Sequence, residues 1–242
     1  MDTIKIEGHK PKMIAHRGLS GIELENTYPA FVAAANRSYF GIETDVHVTA
    51  DGKFVVIHDE TTERVSLGAY NVNVETSPFD AVKDIILPDL DGNTSRRDIK
   101  IPLLADYINI CKKYGKKCVL ELKNRFATAD IIRMVEEIKA LDYLDNMIFI
   151  SFSYENCTDL RAILPTATIQ FLTGEFMNDE ILKKLTDHKL DLDIFYAKIN
   201  KEWVEKLHSL GIRINVWTCD NKEQAQALAT MGVDFITSNI LE

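Results

Sequence analysis

The chain has 242 residues, 46% hydrophobic and 27% charged, the balance of an ordinary globular protein with room for one sizeable core. With 37 acidic against 28 basic side chains the formal charge is −9. That charge excludes general affinity for nucleic acid, which needs basic patches to release phosphate counterions.

A small anionic ligand would have to be held by a few local cations. No segment approaches the roughly 18 apolar residues of a membrane span, and Met1-Asp2-Thr3-Ile4-Lys5 has no apolar leader. Cys111, Cys118, Cys157 and Cys219 show no CxxC spacing and read as buried thiols of a reducing compartment, so a cytoplasmic protein is expected.

In chain order, the first apolar run, 13–16, ends in His16-Arg17-Gly18. Glu25-Asn26-Thr27 precedes Tyr28-Pro29, where Asn26 or Thr27 can cap a helix and the proline fits its first turn. The run 41–46 carries Glu43 and Asp45, two apart and therefore on one face of a strand. His47 shares their parity but lies further along and reads as a rim residue. Ala50-Asp51-Gly52-Lys53 is far shorter than the dozen or so residues a parallel crossover needs, so Phe54 to His58 reads as a returning antiparallel arm. A four-residue turn would set Thr49 opposite Phe54, His47 opposite Val56, and Asp45 opposite His58.

Segment 59–100 fits no βα unit. It is expected to be an insertion after the second strand, on the active-site face. Its apolar residues Val72, Val74, Phe79, Ile85, Ile86 and Leu87 are expected to form a small core of their own rather than an acyl-chain groove.

From residue 101 onward, helical patterns at 103–114, 129–141, 154–164, 179–188, 201–210 and 222–231 alternate with short apolar runs. In the second, Ile131, Val135, Ile138 and Leu141 recur at helical spacing. Gly41, Gly115, Gly211 and Gly232 are placed as helix-ending glycines. Runs at 13–16, 41–46, 118–123, 147–152, 168–173, 193–198, 213–218 and 234–238 make eight staves without the arm. The expected fold is an α/β (β/α)₈ TIM barrel, one catalytic domain over residues 1–242, with its site at the C-terminal rim.

The rim residues suit phosphate ester chemistry. Charges ending buried strands are costly unless a metal or an anion offsets them. Glu43, Asp45 and Glu121 offer hard oxygen ligands, suited to Mg²⁺ or Ca²⁺ and not to Zn²⁺. His16 and His58 are candidate proton carriers, whereas His9, His47, His188 and His208 lack carboxylate-bearing company. Arg17 and Lys123 are natural contacts for phosphate oxygens, a role favoured for Arg17 over a purely structural ion pair with Glu25 or Glu43. Trp217 can wall the substrate.

The ordered set His16-Arg17-Gly18, Glu25-Asn26-Thr27, Glu43-x-Asp45-Val46, Thr49-x-Asp51-Gly52, Val55-Val56-x-His58-Asp59, Leu120-Glu121-x-Lys123, Ser151-Phe152 and Val216-Trp217-Thr218 resembles the glycerophosphodiester phosphodiesterase family, from residue 13 to about 238. The resemblance implies a phospholipase-C-like (β/α)₈ barrel with a small insertion. It also implies divalent-metal-dependent hydrolysis of small glycerophosphodiesters, such as glycerophosphocholine and glycerophosphoethanolamine, to glycerol 3-phosphate and an alcohol.

By position it implies His16 and His58 as the acid/base pair and Glu43, Asp45 and Glu121 as metal ligands. Arg17 and Lys123 would contact phosphate, and Trp217 would be the substrate-side aromatic. Leu24, Glu63 to Gly68 and Thr237-Ser238-Asn239 depart from the family's pattern. Two alternatives are a lysophospholipase D-like enzyme and a silent barrel that only binds glycerophosphate. The second would be expected to have lost one of the five metal and proton-transfer residues, and all are present.

Overall fold

Eight short parallel strands, each flanked by helix on its outer face, need apolar residues at nearly every position. The computed structural model describes residues 2–7 and 11–242, so His9 lies outside the described residues. The strands are β1 (Lys12–Ala15), β2 (Gly41–Val48), β3 (Phe54–Val56), β4 (Lys117–Leu122), β5 (Met147–Ser151), β6 (Thr168–Thr173), β7 (Asp191–Phe195), β8 (Ile214–Trp217) and β9 (Phe235–Ser238). They pair in the order β1-β9-β8-β7-β6-β5-β4-β2, and a further β1–β2 pairing closes the barrel. β3 hangs from β2 as an antiparallel arm outside the ring. This is the expected (β/α)₈ barrel, and all eight staves coincide with predicted runs.

The alternation of each stave decides what enters the barrel. On β4, Cys118, Leu120 and Leu122 pack outward into the main core, while Val119 joins an inner cluster with Ile14, Ile148, Ile150, Leu172 and Phe235. Two residues beyond Val119 on the same face stands Glu121. β2 follows the same rule, with Ile42 and Val46 in the outer core and Glu43 and Asp45 on the other face. An apolar plug thus fills the lower barrel and lifts the charged residues to the rim.

The helices are α1 (Tyr28–Ala35), α2 (Leu104–Tyr114), α3 (Thr128–Ala140), α4 (Tyr154–Ile163), α5 (Asp179–Asp187), α6 (Lys201–Ser209) and α7 (Lys222–Met231). Ser153, Asn178, Asn200 and Asn221 accept hydrogen bonds from backbone N–H groups in the first turns of α4 to α7. Gly115 and Gly232 end α2 and α7 in left-handed geometry, as predicted, and Gly211 follows α6 at φ +75°. Gly41 does not share this role. It is the first residue of β2, where a Cβ would lie 3.1 Å from the Lys117 carbonyl oxygen, so its small size serves strand packing. Thr27 occupies the N-cap position of α1, but its hydroxyl donates to the Leu24 carbonyl and caps nothing.

The hairpin register differs from expectation by one residue. Val46 pairs with Val56, His47 with Val55 and Val48 with Phe54. The cause is a tighter turn. Thr49 N–H donates to Lys53 O at 2.9 Å, and Gly52 at φ +77° closes a three-residue loop. By register alone His58 would face away from Asp45. Ile57 N–H still donates to Asp45 O at 3.2 Å, but the chain bends at His58, and its side chain enters the rim cavity with His16.

Between β3 and α2, Val65, Val74, Val82, Ile85 and Leu87 are buried with Val55, Ile57, Ile99 and Ile101. Val72 and Phe79 pack on them, whereas Ile86 stands apart and lines a separate surface cavity with Leu67, Ala69 and Tyr70.

Gly18 makes α1's approach possible. At φ +77° it would place a Cβ 2.7 Å from the Ala30 carbonyl carbon and Cβ, and its N–H reaches Glu43 O at 3.2 Å. Gly115 at φ +66° has open space around it. Gly115→Ala should therefore cost only the left-handed strain, about 1–2 kcal/mol. Gly18→Ala should cost more in urea unfolding, because backbone must move. Equal losses at the two sites would contradict this packing account.

Candidate active site

A cavity of about 90 Å³ opens at the carboxyl ends of the staves. One wall presents His16, Arg17, Glu43, His58, Glu121 and Lys123, and the other presents Ile150, Phe152, Leu172, Asp193 and Trp217. Asp45 lies against the charged wall.

One oxygen from each of Glu43, Asp45 and Glu121 falls within 4.8 Å of the others, and all three residues are buried. Lys123 Nζ is 2.7 Å from Glu121 Oε1 and 3.4 Å from Asp45 Oδ1. Arg17 Nε is 3.4 Å from Asp45 Oδ2, and its Nη1 is 2.9 Å from Glu25 Oε1, so the ion pair and the cavity position coexist. The Arg17 backbone N–H donates to Glu43 Oε2 at 2.8 Å.

Three carboxylates thus face two cations, one of which also serves Glu25. Burial pushes Glu43 well above the usual carboxylate range, and Asp45 and Glu121 add to it. Burial and Asp45 push Glu121 up to about 7. Burial works against ionised Asp45 too, but Lys123 and Arg17 outweigh it and hold that carboxyl at about 2. Asp45 Oδ1 is buried with no hydrogen-bond partner among the described residues. An all-oxygen donor set, with one buried carboxylate oxygen met only by the Lys123 ammonium at 3.4 Å, fits a hard divalent cation.

The two histidines have different partners. His16 Nδ1 lies 2.7 Å from Asn239 Oδ1, which also accepts from Ser20 Oγ at 2.7 Å. Asn239 Nδ2 donates to Asp220 Oδ2 at 2.5 Å, which settles the amide's orientation and makes His16 Nδ1 the donor. Its Nε2 points toward Glu43 Oε2 at 4.0 Å. Burial and Arg17 hold the imidazole down to about 4. His58 Nδ1 instead meets a carboxylate, Asp59 Oδ1, at 2.6 Å. Burial lowers His58, and Asp45 opposes that shift. Arg64 clamps Asp59 Oδ2 at 2.6 Å and Glu25 Oε1 at 2.8 Å. A chain of pairs therefore runs from His58 through Asp59, Arg64, Glu25 and Arg17 to Asp45.

His47 is not a rim residue. It is 1% exposed, with Nδ1 2.7 Å from Glu75 Oε1 and Nε2 donating to the His58 carbonyl at 3.1 Å. Asn26 is not the helix cap its sequence position suggests: its Nδ2 donates to Asp45 Oδ2 at 2.8 Å and its Oδ1 accepts from Thr44 Oγ1 at 2.7 Å. Its φ of +56° aims the side chain inward. Asp59, Arg64, Asp193, Asp220 and Asn239 were also missed as site residues, and only Asp59 and Asn239 had a signal, standing beside singled-out positions. His188 pairs with Tyr154 and His208 with Asp234, both outside the cavity.

The crowded carboxylates give a stability prediction. An acid whose folded pKa exceeds its unfolded value binds more protons when folded, so its contribution is lost as pH rises between the two. In chelator, wild type should lose stability relative to Glu121→Gln as pH climbs from about 4.5, the unfolded value, through about 7. Adding Mg²⁺ or Ca²⁺ should raise the Tm of wild type more than that of the variant. A pH-independent difference in melting curves would contradict the charge crowding.

The model of the glycerophosphoryl diester phosphodiesterase family matches residues 16–241. A glycerophosphodiester phosphodiesterase of Caldanaerobacter subterraneus subsp. tengcongensis is 29% identical over 95% of this chain and 94% of its own length. One from Bacillus altitudinis is 28% identical, with 93% of each covered. The crystal structure of a glycerophosphodiester phosphodiesterase from Parabacteroides distasonis matches with a TM-score of 0.79 at 26% identity, over 99% of this chain and 94% of that one. A phosphodiesterase from Oleispira antarctica, solved with the product sn-glycerol-3-phosphate, has the same fold, with a TM-score of 0.85 at 23% identity over 96% and 94%. The family match spans seven of the eight staves, β2 and β4 to β9, with every rim residue described above, and the chain belongs to the glycerophosphoryl diester phosphodiesterase family.

Proposed function

We propose that this enzyme hydrolyses small glycerophosphodiesters, such as glycerophosphocholine and glycerophosphoethanolamine, to glycerol 3-phosphate and an alcohol in the cytoplasm. The observation that carries this reading is the meeting of two differently partnered histidines and the three-carboxylate cluster in one cavity. Glu43, Asp45 and Glu121 would hold Mg²⁺ or Ca²⁺, which when bound would supply the charge to polarise a phosphate oxygen. Arg17 and Lys123 bind the remaining phosphate charge.

The histidine partners divide the proton transfers. His16 donates from Nδ1 to a neutral amide and is held at about 4, so Nε2 is free to take the proton of the attacking oxygen, from water or the glycerol 2-hydroxyl. His58 leans on the Asp59 carboxylate, which works against the downward pull of burial and so favours the imidazolium that would protonate the departing alkoxide. His47, through the His58 carbonyl, positions the arm's end.

The direct test is a panel of glycerophosphodiesters with and without EDTA, reading released glycerol 3-phosphate. Release should need divalent ion, and His16→Ala and His58→Ala should each lower kcat by about 10² or more. Full activity in EDTA, or wild-type kcat in either variant, contradicts the reading.

The pH profile tests the division of roles. It should be bell-shaped, rising as His16 loses a proton and falling as His58 does. Asp59→Asn removes the charge that sustains the His58 imidazolium, so the alkaline limb should move to lower pH while the acid limb stays. Movement of the acid limb instead would reverse the assignment.

A further inference from the structure

Loops from three neighbouring staves meet beside His16. β8, β9 and β1 are adjacent in the barrel, and Asp220 lies three residues beyond β8, Asn239 one beyond β9 and His16 one beyond β1. Backbone bonds stitch the last two loops together. His16 N–H donates to Ser238 O and Gly21 N–H to Asn239 O, each at 2.9 Å. Asp220 is an exposed residue outside the cavity lining, yet its carboxylate takes three hydrogen bonds from the segment after β9. Oδ1 accepts from Ser238 Oγ and from Asn239 N–H, both at 2.7 Å, and Oδ2 accepts from Asn239 Nδ2 at 2.5 Å. Asn239 stands in Thr237-Ser238-Asn239, one of the places where the chain departs from the family's pattern.

The direction of the Asn239 amide matters because it chooses the His16 tautomer. An amide oxygen beside Nδ1 requires a proton there and leaves Nε2 bare, whereas an amide NH₂ beside Nδ1 would require the reverse. Ser20 does not decide between them. Its Oγ lies 2.7 Å from both the His16 carbonyl oxygen and Asn239 Oδ1. The single hydroxyl proton serves one of these, and with that proton on the carbonyl Ser20 could equally accept from a reversed amide. An ionised carboxylate only accepts, so Asp220 draws the NH₂ toward itself and turns the amide oxygen to the histidine.

We propose that Asp220 is a positioning residue for the hydrolysis, which through Asn239 locks His16 in the tautomer whose Nε2 can take a proton. The proposal rests on the reading of His16 as the base and adds the group outside the cavity that makes it one.

The isosteric amide isolates this role. In Asp220→Asn the new side chain keeps its bonds to Ser238 Oγ and Asn239 N–H only by turning its oxygen to them, so its NH₂ faces the Asn239 side chain. Asn239 must answer with its own oxygen, which carries its NH₂ round to His16 Nδ1. Nδ1 then becomes the acceptor and Nε2 holds the ring's proton. A base already protonated at the working nitrogen cannot accept the proton of the attacking oxygen.

In Asp220→Asn, kcat for release of glycerol 3-phosphate should fall about tenfold or more while KM stays within about twofold. Combining Asp220→Asn with Asn239→Asp exchanges the two groups. A carboxylate at position 239 accepts from both the histidine and the amide at 220, so the exchange should recover most of the loss, each enzyme being read at its own optimum pH. Ser238→Ala removes one bond to Asp220 and leaves the amide's direction alone, so it should lower Tm and keep kcat within about twofold. ¹⁵N NMR of the imidazole at neutral pH, assigned by the signals lost in His16→Ala, needs no turnover. Wild-type His16 should carry its proton on Nδ1 and Asp220→Asn on Nε2. Should Asp220→Asn fail to fold, the wild-type ring and the exchange variant still decide. Wild-type kcat in folded Asp220→Asn, a loss seen only in KM, no recovery in the exchange, or an Nε2-protonated wild-type ring would overturn the proposal. Absence of phosphodiester cleavage by wild type with His16 protonated on Nδ1 would instead overturn the hydrolytic reading.

Discussion

Three buried carboxylates within 4.8 Å of one another, served by two cations, are the constraint on which the rest of the site depends. In a protein interior such a cluster is unfavourable unless protons or a cation neutralise it. The fold accepts it because β2 and β4 are adjacent and in register, with Asp45 opposite Glu121. Period-two alternation then brings Glu43 to the same face. The apolar plug beneath keeps these residues at the rim, where a ligand can reach them.

Many neighbouring features respond to that charge. Arg17 is held by Glu25 as well as by Asp45, and Arg64 ties Glu25 to Asp59 and so to His58. Asn26 fixes one oxygen of Asp45, and the other has no hydrogen bond and only the Lys123 ammonium beside it. The segment between β3 and α2 supplies Asp59, Arg64 and Glu75, so it completes the histidine environment while burying its own apolar side chains.

The barrel was legible because its signal is periodic. Eight apolar runs, with glycines such as Gly115 and Gly232 between helices and strands, specify parallel staves regardless of distant contacts. The carboxylates were legible for the same reason, since Glu43, Asp45 and Glu121 interrupt apolar alternation. The hairpin register was not, because it turns on one residue of loop length, and Gly52's left-handed geometry shortened the turn from four residues to three. Residues acting through tertiary contact were hidden. Asn26 reads locally as a cap, and nothing near Asp220 in the chain reveals that it holds Asn239 against His16, 223 positions from Asn239.

The central claim is that the rim is a single hard-cation site whose carboxylates are partly protonated until an ion arrives. Calorimetric titration of Ca²⁺ or Mg²⁺ into chelator-treated protein, in two buffers of different ionisation enthalpy, tests it directly. The account predicts one ion per chain with net proton release at neutral pH, as Glu43 and Glu121 give up protons held by burial. It also predicts that Glu43→Gln abolishes or greatly weakens the event. Binding without proton release, several equivalent weak ions, or undiminished binding in Glu43→Gln would contradict it.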